Sequence, residues 1–313
     1  MTEAQKKLKE RFLEPETRDG YFIDAKMKAV WKEMLNITEE IVRICDKHGL
    51  NYTLAGGTLL GAIRHKGFIP WDDDVDIDMP REDYRKFLAL LEKGELKAPY
   101  VLQTFVTDPG RMSTFAQIRN PNTTAIDPGW TKYHDCFNMG IGVDIFPIDG
   151  IPAGRLDRYV TRTVTFITTG LMLRSKKPRD KSSVSGKLKY LISRSACMIF
   201  GRRTIWRIRE WAFARNKMSQ GRMCGEYSFR MNSSHERWSS SVYDSYLTVP
   251  FEYLDLKVPV GYDEVLTAKY GDWRTPTKVN GYHSPLVCDV KRPYKEILIE
   301  QFGYSPEWVK DLP

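Results

Sequence analysis

Five aspartates fall within seven positions of an otherwise basic chain: Asp72, Asp73, Asp74, Asp76 and Asp78, directly after Trp71. From Asp74 onward the order Asp-Val-Asp-Ile-Asp-Met alternates acidic and apolar residues with the period of a strand. That period puts Asp74, Asp76 and Asp78 on one face and Val75, Ile77 and Met79 on the other. Aspartate is a poor strand former, and like charges stacked on one face repel. A solvated acidic turn accounts for Asp72 and Asp73. It does not account for the alternating half, where a hard divalent cation held by oxygen ligands offsets the repulsion. Upstream, residues 52–55 read as a short apolar strand, after which Gly56-Gly57-Thr58 opens a helix reaching Arg64. A glycine pair at a helix N-terminus lets backbone N–H groups approach a phosphate. The pair is a weak signal by itself; joined to the carboxylate strand it defines a nucleotide–metal site.

The block Gly56-Gly57-Thr58-Leu59-Leu60-Gly61-Ala62-Ile63-Arg64-His65-Lys66-Gly67-Phe68-Ile69-Pro70-Trp71 and the aspartates after it resemble the LicD family of cholinephosphotransferases. Fukutin-related ribitol-phosphate transferases carry a similar block. The resemblance implies a nucleotidyltransferase-like fold, with Gly56-Gly57 and Asp74-Val75-Asp76 as its two marks. It also implies a third carboxylate on a later strand, for which Asp144, in Gly142-Val143-Asp144-Ile145-Phe146-Pro147-Ile148-Asp149, is the candidate. A segment around Arg119 and a closing Tyr270-Gly271-Asp272, followed by His283, are similar to further family segments. The match is strong over 52–80, fair over 142–149 and 258–273, and weak between them.

The resemblance implies transfer of phosphocholine or a similar phospho-alcohol from a CDP-linked donor to the hydroxyl of a glycan or lipid-linked glycan, with release of CMP. Asp74, Asp76 and Asp144 are then the metal ligands and catalytic carboxylates, for Mg²⁺ with Mn²⁺ as the alternative. Asp78, one step past the matched triplet, is left open. Gly56, Gly57, Thr58, Arg64 and Arg119 are the donor-binding candidates; a guanidinium grips phosphate with two parallel bonds. For Arg119 a surface pairing with the acidic cluster is the rival reading. His65 reads as structural. A choline head group calls for an aromatic cage, for which Trp71, Trp130 and Tyr133 are available.

The remainder of the chain sets bounds. With 313 residues, 42% of them hydrophobic, it can bury a substantial core. Five scattered cysteines without Cys-x-x-Cys spacing argue against zinc and a disulfide framework and fit a reducing cytoplasm. The first ten residues lack the apolar segment of a secretory signal. The expected location is cytoplasmic, with peripheral contact on the inner face of the membrane.

Charge is uneven: residues 155–217 hold 17 Lys or Arg against Asp157, Asp180 and Glu210. A solvated helical surface, a platform on anionic lipid, and nucleic-acid binding are all open for this region; no nucleic-acid motif accompanies it, and none is expected as a partner. Apolar spacing predicts helices over 24–49, 81–91 and 262–270, and strands over 100–106, 114–119, 123–126 and 142–148. The expected class is α+β: a nucleotidyltransferase-like mixed sheet with flanking helices over 1–154, a basic, mainly helical region over 155–254, and a segment over 255–313 that packs back on the core.

Two rivals stand beside transfer from a CDP donor. One is a true nucleotidyltransferase that releases pyrophosphate from a nucleoside triphosphate. The other is a non-catalytic, metal-binding membrane adaptor, against which the missing glycine spacing of a calcium loop counts.

Overall fold

A computed structural model of the protein describes residues 2–111, 113–131, 137–174, 184–218, 223–226, 237–276 and 286–313. The chain enters through α1 (Glu3–Arg11) and a hairpin of β1 (Glu16–Arg18) and β2 (Tyr21–Ile23), then forms α2 (Ala25–His48). Asp24 caps α2 by accepting from the Met27 amide at 2.7 Å, and Gly49, at φ 62°, ends it in the left-handed conformation. The stripe that includes Val30, Trp31, Met34, Ile37, Ile41 and Cys45 is buried along its length.

Next come β3 (Thr53–Leu54), α3 (Gly56–His65), β4 (Asp76–Pro80), α4 (Arg81–Glu92), β5 (Val101–Gln103), β6 (Ala116–Asn120), β7 (Thr124–Ile126), α5 (Pro128–Thr131) and β8 (Ile141–Gly150). The sheet is organised on β8. Along one side it pairs in parallel with β4, which pairs antiparallel with β3. On its other side β6 takes the first half and β9 (Met223–Glu226) the last three residues, both antiparallel. With β5 beyond β6 and β10 (Trp238–Ser239) beyond β9, the sheet has seven strands. Ile77, Met79, Val143, Ile145 and Ile118 are fully buried and share one face, and α2 and α4 pack against β8. This is the expected α+β mixed sheet with flanking helices.

The basic helices are α6 (Arg155–Arg174), α7 (Val184–Phe200) and α8 (Arg202–Ala214), packed on one another. Of the basic, mainly helical region expected over 155–254, the described residues after Ala214 include a 3-10 turn at Ser240–Tyr243 and several strands. Within that range, β9 and β10 belong to the central sheet, and β11 (Tyr246–Phe251) pairs with β12 (Leu254–Pro259). Met223-Cys224-Gly225-Glu226 is too short to show a period; pairing with β8 makes it a strand. Downstream, α9 (Tyr262–Tyr270) packs on α3 and β13 (Val287–Asp289) pairs with β7. Finally, α10 (Tyr294–Phe302) and α11 (Pro306–Lys310) contribute Tyr294, Ile297, Leu298 and Val309 to a small core with Ile126, Phe137 and Met139. Among the described residues, no helix is long and apolar enough to cross a membrane.

Candidate functional site

Strand register brings the distant carboxylates together. In the parallel pairing of β4 with β8, Asp76 is the partner of Asp144, and in the antiparallel pairing of β6 with β8, Gln117 is the partner of Asp144. Three polar side chains therefore stand in a row across adjacent strands, which lie about 4.8 Å apart. Gln117 Nε2 donates to Asp144 Oδ1, and Gln117 Oε1 accepts from Arg119 Nη2 at 3.1 Å.

The N-terminus of α3 meets this row from above. Gly56 has φ 51°, a conformation glycine tolerates and other residues rarely adopt. A Cβ at Gly56 would lie 2.6 Å from Asp76 Oδ2, and one at Gly57 would lie 2.6 Å from Asp72 Oδ2. The glycine pair thus makes room for two carboxylates at the positive end of a helix, where negative charge is favoured. Thr58 also serves the strand: its buried hydroxyl accepts from the Asp76 amide at 2.9 Å.

The acidic turn also departs from expectation. Asp72 is 8% exposed rather than solvated, because Trp31 Nε1 donates to its carbonyl at 2.9 Å and Trp31 stacks on Phe68 at 4.5 Å. The strand begins at Asp76, and Asp74 lies two positions ahead of it. The carboxylate oxygens of Asp72, Asp73 and Asp74 lie within 4.8 Å of one another. Asp78 does share the face of Asp76 but is 2% exposed, with the Tyr243 hydroxyl 3.4 Å from its Oδ2.

Electrostatics makes the cluster costly as it stands. Burial, then the charges of Asp74, Asp144, Glu226 and Asp72, pushes Asp76 well above the usual carboxylate range. Burial, then Asp74 and Asp73, does the same to Asp72. The donors are carboxylate oxygens, the set a hard divalent cation prefers, and such a cation would relieve this repulsion. The residues fit the implied metal.

Two arginines expected at a phosphate make hydrogen bonds to protein groups. Arg119 is 7% exposed, and its guanidinium donates to Gln103 Oε1, the Gly140 carbonyl and Gln117 Oε1. It acts on the row through Gln117. Arg64 donates from Nη1 to the Trp273 carbonyl at 2.9 Å, fastening α3 to the closing Tyr-Gly-Asp block. His65 Nε2 lies 2.9 Å from Asp19, in keeping with a structural role.

Four residues outside the sequence expectation border the site. Glu226 on β9 pairs with Lys269 at 3.0 Å, both side chains buried, and Glu226 acts electrostatically on Asp76. Tyr270 lies within electrostatic range of Asp76, Asp72 and Asp74, and Arg111 within range of Asp144. None carried a local motif; only the Tyr-Gly-Asp ending pointed at Tyr270. Of the aromatic cage, Trp71 is half-buried and meets Tyr21 edge-on at 6.2 Å. The side chain of Trp130, and all of Tyr133 and His283, lie outside the described residues.

Residues 49–148 match the LicD/FKTN/FKRP nucleotidyltransferase-domain family. The matched range runs from the end of α2 to β8 and contains Asp76, Asp144 and the glycine pair. Over 54 residues the chain is 54% identical to the lipopolysaccharide cholinephosphotransferase LicD of Haemophilus influenzae, an alignment covering 17% of this chain and 20% of that enzyme. Over 43 residues it is 49% identical to the human ribitol 5-phosphate transferase FKRP, covering 14% of this chain and 9% of that protein. It is also 38% identical over 71 residues to an uncharacterized protein of Rickettsia typhi, covering 23% and 22% of the two chains. The alignments thus span about a fifth or less of the two named transferases.

Proposed function

We propose that this protein is a phospho-alcohol transferase that moves phosphocholine, or a related phospho-alcohol, from a CDP-linked donor to a glycan hydroxyl and releases CMP. The observation that carries the reading is the facing pair Asp76 and Asp144 on parallel strands, beneath a helix N-terminus cleared of side chains by Gly56 and Gly57. Both named relatives transfer a phospho-alcohol, phosphocholine in one and ribitol 5-phosphate in the other.

In this reading Asp76 and Asp144 hold Mg²⁺, or alternatively Mn²⁺, with Asp74 beside them. The ion supplies neutralisation of the donor's diphosphate, the main need of phosphoryl transfer. Gln117, oriented by Arg119, fixes the rotamer of Asp144 through its hydrogen bond. The amides opening α3 are directed at the negative charge of the donor. The bond from the acceptor oxygen to the distal phosphorus forms as the bond from that phosphorus to the bridging oxygen breaks. CMP leaves with the electron pair, and the acceptor's proton passes to a carboxylate of the cluster.

The test is an assay of purified protein with Mg²⁺ and CDP-choline, CDP-ribitol, CDP-glycerol or CTP, each with a glycan acceptor. The expected result is CMP released from one of the CDP-alcohols, with the alcohol phosphate recovered on the glycan. Pyrophosphate released from CTP, with no CMP from the others, would instead identify a nucleotidyltransferase.

A further inference from the structure

Helix α7 and the first four turns of α6 are built inside out, whereas Met172, near the end of α6, packs with Phe105 and Ile205. On α6 the side turned into the protein carries Thr161, Thr165 and Thr168, at 5, 3 and 6% exposure, whereas Tyr159, Phe166 and Ile167 stand out at 67, 71 and 50%. The Thr165 and Thr168 hydroxyls donate to the carbonyls of Thr161 and Val164, one turn back, at 2.7 Å. The buried threonines thereby satisfy themselves within their own helix. On α7, Ser193 is buried and Ala196 and Cys197 are half-buried, while Leu188, Leu191, Ile192 and Ile199 are all more than half exposed. Leu188 is three and four positions from Leu191 and Ile192, and Tyr159–Phe166 and Ile192–Ile199 are each seven apart, two helical turns, so on each helix these residues share a face.

A helix surrounded by water carries the reverse pattern, with large apolar residues inside and small polar ones outside. Small and hydroxyl-bearing residues toward protein, with bulky apolar residues outward, is the arrangement of helices bathed in hydrocarbon. Over their described residues, none of these helices is long and apolar enough to cross a bilayer. A helix lying in the plane of a leaflet satisfies both conditions.

The charge identifies which leaflet. Arg158, Arg162, Lys187, Arg194, Arg203 and Arg207 are exposed on the same three helices, and the residues from 155 to 217 contain only three acidic side chains. Trp211 on α8, 55% exposed, is of the residue type that favours the head-group level. We infer that α6, α7 and α8 form a platform that lies on an anionic lipid surface, with its apolar side chains in the acyl boundary and its Lys and Arg on phosphate head groups. Two copies of the chain meeting through this face would oppose like charges, which disfavours a dimer as the occupant. The inference is independent of the transfer reaction.

The test uses the full chain and two kinds of vesicle, phosphatidylcholine alone and phosphatidylcholine with phosphatidylglycerol. The wild-type protein co-sediments with the anionic vesicles, not with the neutral ones, and added salt weakens the binding. The double variant Ile192→Glu/Ile199→Glu and, separately, Arg203→Glu/Arg207→Glu each reduce binding at least about tenfold. All four positions are exposed, so both variants keep the wild-type melting temperature. Absence of binding to anionic vesicles, or undiminished binding by both variants, overturns the inference. So does a wild-type dimer that Ile192→Glu/Ile199→Glu dissociates without changing vesicle binding.

Discussion

Asp76→Asn abolishes turnover, leaves the fold intact and raises the melting temperature of the metal-free protein. The expected rate loss is on the order of 10³-fold, the scale on which phosphoryl transfer depends on a held cation and on fixed electrostatic groups. The gain in stability has a separate cause. Asp76 is half-buried beside Asp144, and Asp74, Asp72 and Glu226 add further negative charge. A neutral amide of the same shape removes that repulsion, for an expected rise of about 2 °C. Addition of Mg²⁺ and donor reverses the order of the two proteins. The wild type gains about 2.7 kcal/mol when ligand is at a hundred times its dissociation constant, and the variant gains little. A pair of melting curves with and without Mg²⁺ and CDP-choline, read beside the CMP assay, checks both parts. Wild-type turnover in the variant refutes the role of Asp76.

The second large effect is on stability. Arg81, at the start of α4, donates from Nε to Asp149 Oδ1 at 2.8 Å and from Nη1 to Glu210 Oε2 at 2.9 Å, joining α4, β8 and α8. Its side chain is 8% exposed, that of Asp149 2% and that of Glu210 18%. Arg81→Met leaves two carboxylates buried against each other without the guanidinium that joins them. Breaking a buried ion pair from one side costs about 3–5 kcal/mol, which corresponds to a fall of roughly 10 °C in a chain of this size. Urea unfolding measures it. The triple variant Arg81→Met/Asp149→Asn/Glu210→Gln regains most of the loss, because the stranded charges are gone. A loss below about 1 kcal/mol in the single variant would show that water reaches the pair.

This anchor explains why the sequence was legible in some places and opaque in others. Where the signal is local it reads well: the period and caps of α2, the start of α4 at Arg81, and α9 from Tyr262 to Tyr270 all follow from residues within one turn of each other. The Asp-Val-Asp triplet pointed to β4, and the spacing of 142–149 to β8. Nothing local says that Arg81, Asp149 and Glu210 meet, or that Glu226 comes to the edge of the site, because those meetings are set by strand order and helix docking. Arg119 is the instructive case. An arginine ending a strand reads as a grip on phosphate or as a surface group, yet β6 lies inside the sheet between β5 and β8, and Gln103, Gln117 and the Gly140 carbonyl are there to receive its hydrogen bonds. Asp72 departs from a solvated turn for a similar reason: Trp31, 41 positions earlier, holds its carbonyl and draws the turn inward.

The glycine pair carries a related lesson. Read alone, Gly56 and Gly57 say only that something must come close to the backbone. In the fold, what comes close is Asp76 at one glycine and Asp72 at the other. Helix and carboxylates are therefore parts of a single arrangement, and a side chain at either glycine would collide with the acidic group it faces.

Asp76 and Asp144 as a cation site are tested most directly by crystals grown with Mn²⁺ and CDP and measured at the manganese absorption edge. The account predicts an anomalous peak ligated by Asp76 and Asp144, with the CDP diphosphate beside it at the N-terminus of α3, and no such peak in Asp76→Asn. A peak confined to the turn of Asp72 and Asp73, or none with CDP bound, would contradict it.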